Sequence, residues 1–251
     1  TKPKPLIIAT PKEIELKTFS VAARSEVKKY KADYVRYFNR NNRKCEPPKI
    51  MLDPLPRVIL MPGLGLFGLG KSAKDASIAA DLAETTARVI TAAEELGIYK
   101  CIPERDIFDI EYWSLEQAKL GQANEKPLSR HVVAVTGGAS GIGAATAAAF
   151  ASRGAEVFIL DRDLLAAQSV ASRIGGVSLK CDVTRASSVE RAFAHICRSS
   201  GGLDILVSNA GAAWQGRIGE VDEKTLRDSF ELNFWGHQRC AQAAVSIMKA
   251  Q

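Results

Sequence analysis

The sequence predicts an α/β protein: a doubly wound parallel sheet in the carboxyl-terminal half, preceded by a smaller, mainly helical segment. Three observations carry this reading. From His131 onward, apolar runs of strand length alternate with segments of helical period, as a parallel sheet with crossover helices requires. Between the first such run and the first such helix lies Thr136-Gly137-Gly138-Ala139-Ser140-Gly141-Ile142-Gly143, a glycine-rich turn. Ahead of both, residues 1–57 hold most of the prolines, which break regular structure.

Residues 1–57 are therefore expected to be irregular apart from one helix. There Arg24, Lys28, Lys29, Lys31, Arg36, Arg40, Arg43 and Lys44 interleave with Val27, Tyr30, Tyr34, Tyr37 and Phe38 at helical spacing. Such a pattern suits either a nucleic-acid surface with interleaved aromatics or an amphipathic helix with buried rings and a solvated basic face. The second is preferred, because charge runs are commonly solvated faces. A short strand is expected over 58–61, then a glycine-rich loop, a helix over 75–96 stopped by Gly97, and a helix over about 109–120 ended by Gly121. The polar, aperiodic run Gln122 to Pro127 reads as a linker covering 122–130. Beyond it, strands are expected at 131–136, 156–160, 177–181 and 204–208. Helices are expected at 142–153, 164–174, 188–197 and 225–234, the last continuing through 238–248. This is the nucleotide-binding half of a Rossmann-type fold.

A strand, a tight glycine turn and a helix N-terminus make a cradle for a dinucleotide pyrophosphate, because amide N–H groups and the helix dipole converge on the anion. Glycines suit the turn's backbone angles and let the chain approach the phosphates closely. Asp161 closes the second strand, 18 residues after Gly143. A carboxylate there accepts hydrogen bonds from the adenosine ribose and repels a 2′-phosphate, which favours NAD over NADP; the neighbouring Arg162 pulls the other way. The alternative role for Asp161 is a helix N-cap. Asp182-Val183 follows the third strand and Asn209-Ala210-Gly211 the fourth, so four loops at one sheet edge carry small or polar residues.

Composition narrows the class further. The 251 residues are 46% hydrophobic and 25% charged, with net charge +6, an ordinary globular balance. With no apolar run near the ~20 residues of a membrane span and no signal-peptide pattern, a cytoplasmic protein without membrane or nucleic-acid partners is expected. Cys45, Cys101, Cys181, Cys197 and Cys240 are scattered and fit reduced thiols.

In order and spacing, Thr-Gly-x-x-x-Gly-Ile-Gly, Asp161, Asp182-Val183, Asn209-Ala210-Gly211 and Asn233 resemble the short-chain dehydrogenase/reductase family over residues 131–251. The resemblance implies that Gly137, Ser140, Gly141, Ile142 and Gly143 line the pyrophosphate of NAD and Asp161 the ribose. It implies further that Asp182 and Val183 flank the adenine, and that Asn209, Ala210 and Gly211 form a floor beside the cofactor. Asn233 corresponds to the asparagine whose backbone holds a water in the family's proton relay, the one catalytic position assigned. A small aldehyde or alcohol substrate and a homo-oligomer are implied as well. The family's Tyr-x-x-x-Lys pair is not found after Asn233, and the last tyrosine is Tyr112. A tyrosine acidified by a lysine is what moves the proton in that chemistry, so this stretch is expected to bind a dinucleotide rather than turn it over, as part of a longer protein.

Met51-Leu52-Asp53-Pro54-Leu55-Pro56-Arg57-Val58, Met61-Pro62-Gly63-Leu64-Gly65, Glu111-Tyr112-Trp113-Ser114-Leu115-Glu116 and residues 208–216 resemble bifunctional bacterial proteins that join a class II aldolase to a short-chain dehydrogenase. Those are the rhamnulose-1-phosphate aldolase/lactaldehyde dehydrogenase type, which makes residues 1–121 the end of an aldolase-like domain. The aldolase metal of that family is held by histidines, whereas His131, His195 and His237 all fall in the other half, so no metal site is assigned. One competing motif remains. Gly65-Leu66-Phe67-Gly68-Leu69-Gly70-Lys71-Ser72 fits the phosphate loop of nucleotide triphosphatases, but no strand ending in Asp follows to hold a magnesium ion, and a flexible loop is preferred. His195 is expected to be a surface or packing residue, Trp214 and Trp235 to pack or border a substrate pocket, and Lys249 not to replace the missing lysine.

Overall fold

A computed structural model describes residues 2–10, 16–114, 126–217 and 219–251. The chain divides into two compact units, Thr1–Asn124 and Glu125–Gln251.

The first unit contains β1 (Leu6–Ile7), α1 (Leu16–Asn42), β2 (Val58–Met61), β3 (Gly65–Gly68), α2 (Ala73–Leu96) and α3 (Glu104–Glu111). Its sheet runs β1-β2-β3, with β1 parallel and β3 antiparallel to β2. Helix α1 takes the amphipathic form: Tyr30, Tyr34, Tyr37 and Phe38 are buried while its lysines and arginines face solvent. Tyr34, Tyr37 and Phe38 pack with Phe108 and Tyr112, ring centroids 4.6 to 6.0 Å apart. Each such ring pair adds about 0.5–1.5 kcal/mol beyond the area it buries.

Three expectations fail here. Residues 1–57 hold a strand besides the helix: β1 is only two residues long, too short for periodicity to reveal, and it exists because β2 pairs with it. The helix expected to run unbroken from about 109 is not continuous there: α3 starts earlier, at Glu104, set by Pro103 at its N-cap and by Glu104 and Asp106 in its first turn, and it ends at Glu111, while residues 115–120 of the expected span lie outside the described residues. Residues 115–125, which include 122–125 of the expected linker, lie outside the described residues. The third concerns the glycine-rich stretch. Gly65–Gly68 is strand β3, neither a flexible loop nor a phosphate cradle, and Ser72 Oγ accepts the Asp75 N–H as the N-cap of α2. A Cβ on Gly68 would lie 2.2 Å from the Ala76 carbonyl oxygen, and one on Gly70 2.4 Å from Ala76 N. These glycines let a helix approach a strand, which explains a motif that resembles a phosphate loop without being one.

The second unit contains β4 (Val132–Thr136), α4 (Gly141–Ser152), β5 (Glu156–Asp161), α5 (Leu164–Ile174), β6 (Val177–Lys180), α6 (Ala186–Ser200), β7 (Ile205–Val207), α7 (Glu223–Phe230), a π-helical turn (Glu231–Trp235) and α8 (Gly236–Ala250). The strands form one parallel sheet ordered β6-β5-β4-β7. Alternate residues of β4 and β5 serve opposite faces, as the two-residue period of a strand dictates. Val133, Val135, Val157 and Ile159 pack with Ala147, Ala167, Val170 and Ala171 of α4 and α5. Ala134, Phe158 and Leu160 pack with Val189, Phe193 and Ile196 of α6 and with Cys240 and Ala244 of α8. Burial on both faces is why the interiors of β4 and β5, residues 132–135 and 157–160, are apolar throughout. Among the described residues no helix is long and apolar enough to cross a membrane.

Candidate functional site

The strand order reverses between β4 and β7, and the loops leaving their carboxyl ends carry the glycine turn and Asn209-Ala210-Gly211. In open α/β sheets a crevice forms at such a switch point. Gly137 has φ +62° and Gly141 φ +50°, both in the left-handed region. A Cβ on Gly137 would lie 2.8 Å from Ala210 Cα, and one on Gly143 2.2 Å from the Gly137 carbonyl oxygen, whereas Gly141 has nothing within 4 Å of that position. Two glycines thus close the turn on its neighbours while the third faces open space. Ser140 stands at the N-cap of α4, yet its side chain makes no capping bond. Amide N–H groups in the first turn of a helix have no partner within it, so this end is open to an anion. Ile142 beside it is 79% exposed.

Asp161 closes β5, half-buried, and bridges two turns: Oδ2 accepts the Ala139 N–H at 3.1 Å and Oδ1 the Asp163 N–H at 3.0 Å. The cap of α5 is Asp163, which accepts from Ala166 N, so the capping role considered for Asp161 belongs to its neighbour. Each Asp161 oxygen keeps a further acceptor site. Asp182 is committed locally: Oδ1 accepts from Thr184 N at 3.1 Å and Thr184 Oγ1 at 2.7 Å, and Oδ2 lies 3.4 Å from Arg185 Nε. Val183 is buried with its Cγ2 against Gly236, so its side chain is taken up in packing.

Asn209 fastens the floor to the glycine turn. Its Nδ2 donates to the carbonyls of Thr136 and Gly137, at 3.1 and 3.3 Å. Asn233 lies in the π turn and grips Ala212 in both directions: Oδ1 accepts the Ala212 N–H at 3.1 Å and Nδ2 donates to the Ala212 carbonyl at 2.8 Å. One contact here was not anticipated from sequence. Ser208 Oγ and His237 Nδ1 are 2.6 Å apart; the residues are 29 positions apart, and nothing local signals their meeting. His195 lies on the solvent side of α6, and Trp214 and Trp235 are 44% and 50% exposed. Elsewhere, a groove of about 390 Å3 in the first unit is rimmed by the ion pairs Arg36–Asp33 and Arg40–Glu104, which neutralise one another.

Two family models match this chain: "Aldolase class II, second domain" over residues 1–120 and "short chain dehydrogenase" over residues 131–251. The chain thus joins a region that matches the second domain of class II aldolases to a region that matches short-chain dehydrogenases. Residues 131–251 are an oxidoreductase-family domain with the sheet and helices expected of short-chain dehydrogenases. An uncharacterized oxidoreductase of Bacillus subtilis, YuxG, is 32% identical across both halves, covering 100% of this chain and 37% of its own length. Galactitol 2-dehydrogenase of Agrobacterium fabrum is 33% identical over 49% of each chain, and D-threitol dehydrogenase of Mycolicibacterium smegmatis 39% identical over 40% of each. A short-chain dehydrogenase/reductase structure from Mycobacterium marinum is 32% identical with a TM-score of 0.47, over 48% of this chain and 51% of that one. The chain thus spans about half or less of the length of these relatives.

Proposed function

We propose that the dehydrogenase half binds NAD at the carboxyl edge of its sheet, and that the protein containing it interconverts a small aldehyde and alcohol of the lactaldehyde kind. The aldolase half would belong to a class II enzyme cleaving a sugar phosphate such as rhamnulose 1-phosphate. The observation carrying the cofactor reading is the Asp161 carboxylate bonded to the Ala139 amide, beside the uncapped N-terminus of α4. That arrangement sets an acceptor for ribose hydroxyls next to donors for a pyrophosphate, and puts a negative charge where the 2′-phosphate of NADP would go. Nicotinamide, when bound, supplies the hydride chemistry.

In this reading Gly137, Ser140, Gly141, Ile142 and Gly143 hold the pyrophosphate. The backbone at Asp182 and Val183 borders the adenine, and Asn209, Ala210 and Gly211 support the nicotinamide end. Asn233 keeps Ala212 in place and occupies the position of the relay asparagine. Within these residues no Tyr-x-x-x-Lys follows Asn233, so the function proposed for the chain itself is cofactor binding without turnover. Calorimetric titration of the 251-residue chain with NADH and with NADPH tests the reading. Saturable NADH binding that exceeds NADPH binding is expected. A folded chain that binds neither would end the proposal, and equal binding of both would end the NAD preference.

A further inference from the structure

The π turn and the start of α8 touch the loop after β7 at two points. Asn233 holds Ala212 at the far end, and His237, four residues further along the same helical face, holds Ser208 at the near end. Ser208 is followed by Asn209, whose side chain reaches the carbonyls of Thr136 and Gly137 and whose N–H donates to Thr136 Oγ1 at 2.9 Å. Ala210 comes close enough to Gly137 that a Cβ there would lie 2.8 Å from its Cα. A continuous set of contacts therefore runs from His237 through Ser208 and Asn209 to the first glycine of the cradle.

We infer that Ser208 and His237 form a positioning pair, which fixes the loop of Asn209 to Gly211 against the glycine turn and so sets the shape of the dinucleotide site. The inference rests on the cofactor reading above. Burial restricts neither partner completely, since both are half-exposed, so the contact is kept by its own geometry rather than by being walled in. It does not depend on tautomer: either the serine hydroxyl donates to an unprotonated Nδ1, or Nδ1–H donates to the serine oxygen. The pair acts through the loop and touches no reacting atom.

The test uses the whole 251-residue chain with four substitutions: Ser208→Ala and His237→Leu remove the hydrogen bond, while Ser208→Thr keeps the hydroxyl and His237→Asn keeps a polar atom near the Nδ1 position. Amide hydrogen exchange at residues 209–211 is read without cofactor, NADH affinity by titration, and global stability by thermal denaturation. The removing substitutions should speed exchange selectively at 209–211 and weaken NADH about tenfold, with the conservative ones within about twofold of the parent. Unchanged exchange and affinity in His237→Leu would overturn the inference, as would exchange that rises evenly across the unit in step with a lost melting temperature. A parent chain that does not bind NADH, with exchange still rising selectively in the variants, would keep the clamp and overturn the cofactor reading instead.

Discussion

Thr136 and Asn209 are joined by two hydrogen bonds at the ends of adjacent strands: the Asn209 N–H donates to Thr136 Oγ1 at 2.9 Å, and Asn209 Nδ2 donates to the Thr136 carbonyl at 3.1 Å. The same hydroxyl oxygen accepts from Ala210 N at 3.1 Å, and Thr136 is fully buried. One side chain thus satisfies two amides of the loop that follows β7. Thr136→Val preserves the shape and strands both donors, at about 1–3 kcal/mol for a buried unpaired group. Thermal denaturation should show a loss of several degrees for the valine variant and little for Thr136→Ser. Equal melting temperatures for all three would show that the loop is held by other means.

The glycines of the cradle make a paired prediction. At Gly143 a Cβ meets the Gly137 carbonyl at 2.2 Å, backbone against backbone, so Gly143→Ala must push the helix away from the turn. At Gly141 there is room, and the cost of alanine is the φ of +50°, about 1 kcal/mol. Gly143→Ala should therefore lose more stability than Gly141→Ala, by about 1–3 kcal/mol from overpacking, while both weaken NADH. Denaturant midpoints with NADH titrations decide it; a greater stability loss at Gly141 would contradict the geometry.

Asp161→Ala removes an acceptor for ribose and at the same time frees the Ala139 and Asp163 amides. Hydrogen bonds to a charged group are worth about 1.5–3 kcal/mol, so NADH affinity should fall by about tenfold or more. Relief of charge repulsion should narrow the gap to NADPH. Asp161→Asn keeps one carbonyl acceptor and loses the charge, and should retain more NADH affinity while still gaining NADPH. If both variants bind NADH as the parent does, Asp161 is only a tie between turns.

Much of this was legible in the chain. The second unit is built around the central strands β4 and β5, buried on both faces, and helices with Gly175 and Gly201 in left-handed caps, so local signals and tertiary structure agree there. Where they parted, a partner distant in sequence decided the outcome. β1 is strand because β2 lies beside it, and Gly65–Gly68 is strand because it folds back on β2. Neither pairing leaves a periodic trace in so few residues. Ser208 and His237 escaped for the same reason: their meeting needs the π turn, where Gly236 N–H reaches back to Glu231 O and Gly236 itself packs on Val183.

The first unit carries a prediction about pH. Tyr34 OH donates to Glu111 Oε1 at 2.7 Å and lies 2.6 Å from Tyr112 OH, and Tyr37 OH donates to Glu111 Oε2 at 3.1 Å. Burial, followed by the Tyr112 and Glu111 hydrogen bonds, pushes the Tyr34 phenol far up; burial and the Glu111 charge do the same for Tyr37, and burial raises Tyr112. Tyr30 is pushed up to about 12 by burial and then by Glu111. Above pH 10 the unfolded chain releases phenolic protons that the folded unit retains, so stability falls as pH rises through this range. Lys2 runs the other way: burial pulls it down to about 8 against the opposing pull of Glu111, so between pH 8 and 10.5 the unfolded state holds the extra proton and stability rises. One ammonium is opposed by four phenols. Stability of this unit should therefore rise gently above pH 8 and fall steeply beyond pH 10. All five tyrosines of the chain lie before residue 113, so tyrosine absorbance during denaturant titrations at stepped pH reports this unit alone. Tyr30→Phe should make the alkaline fall shallower by one proton, and a stability that stays level from pH 10 to 12 would show that these phenols ionise as easily folded as unfolded.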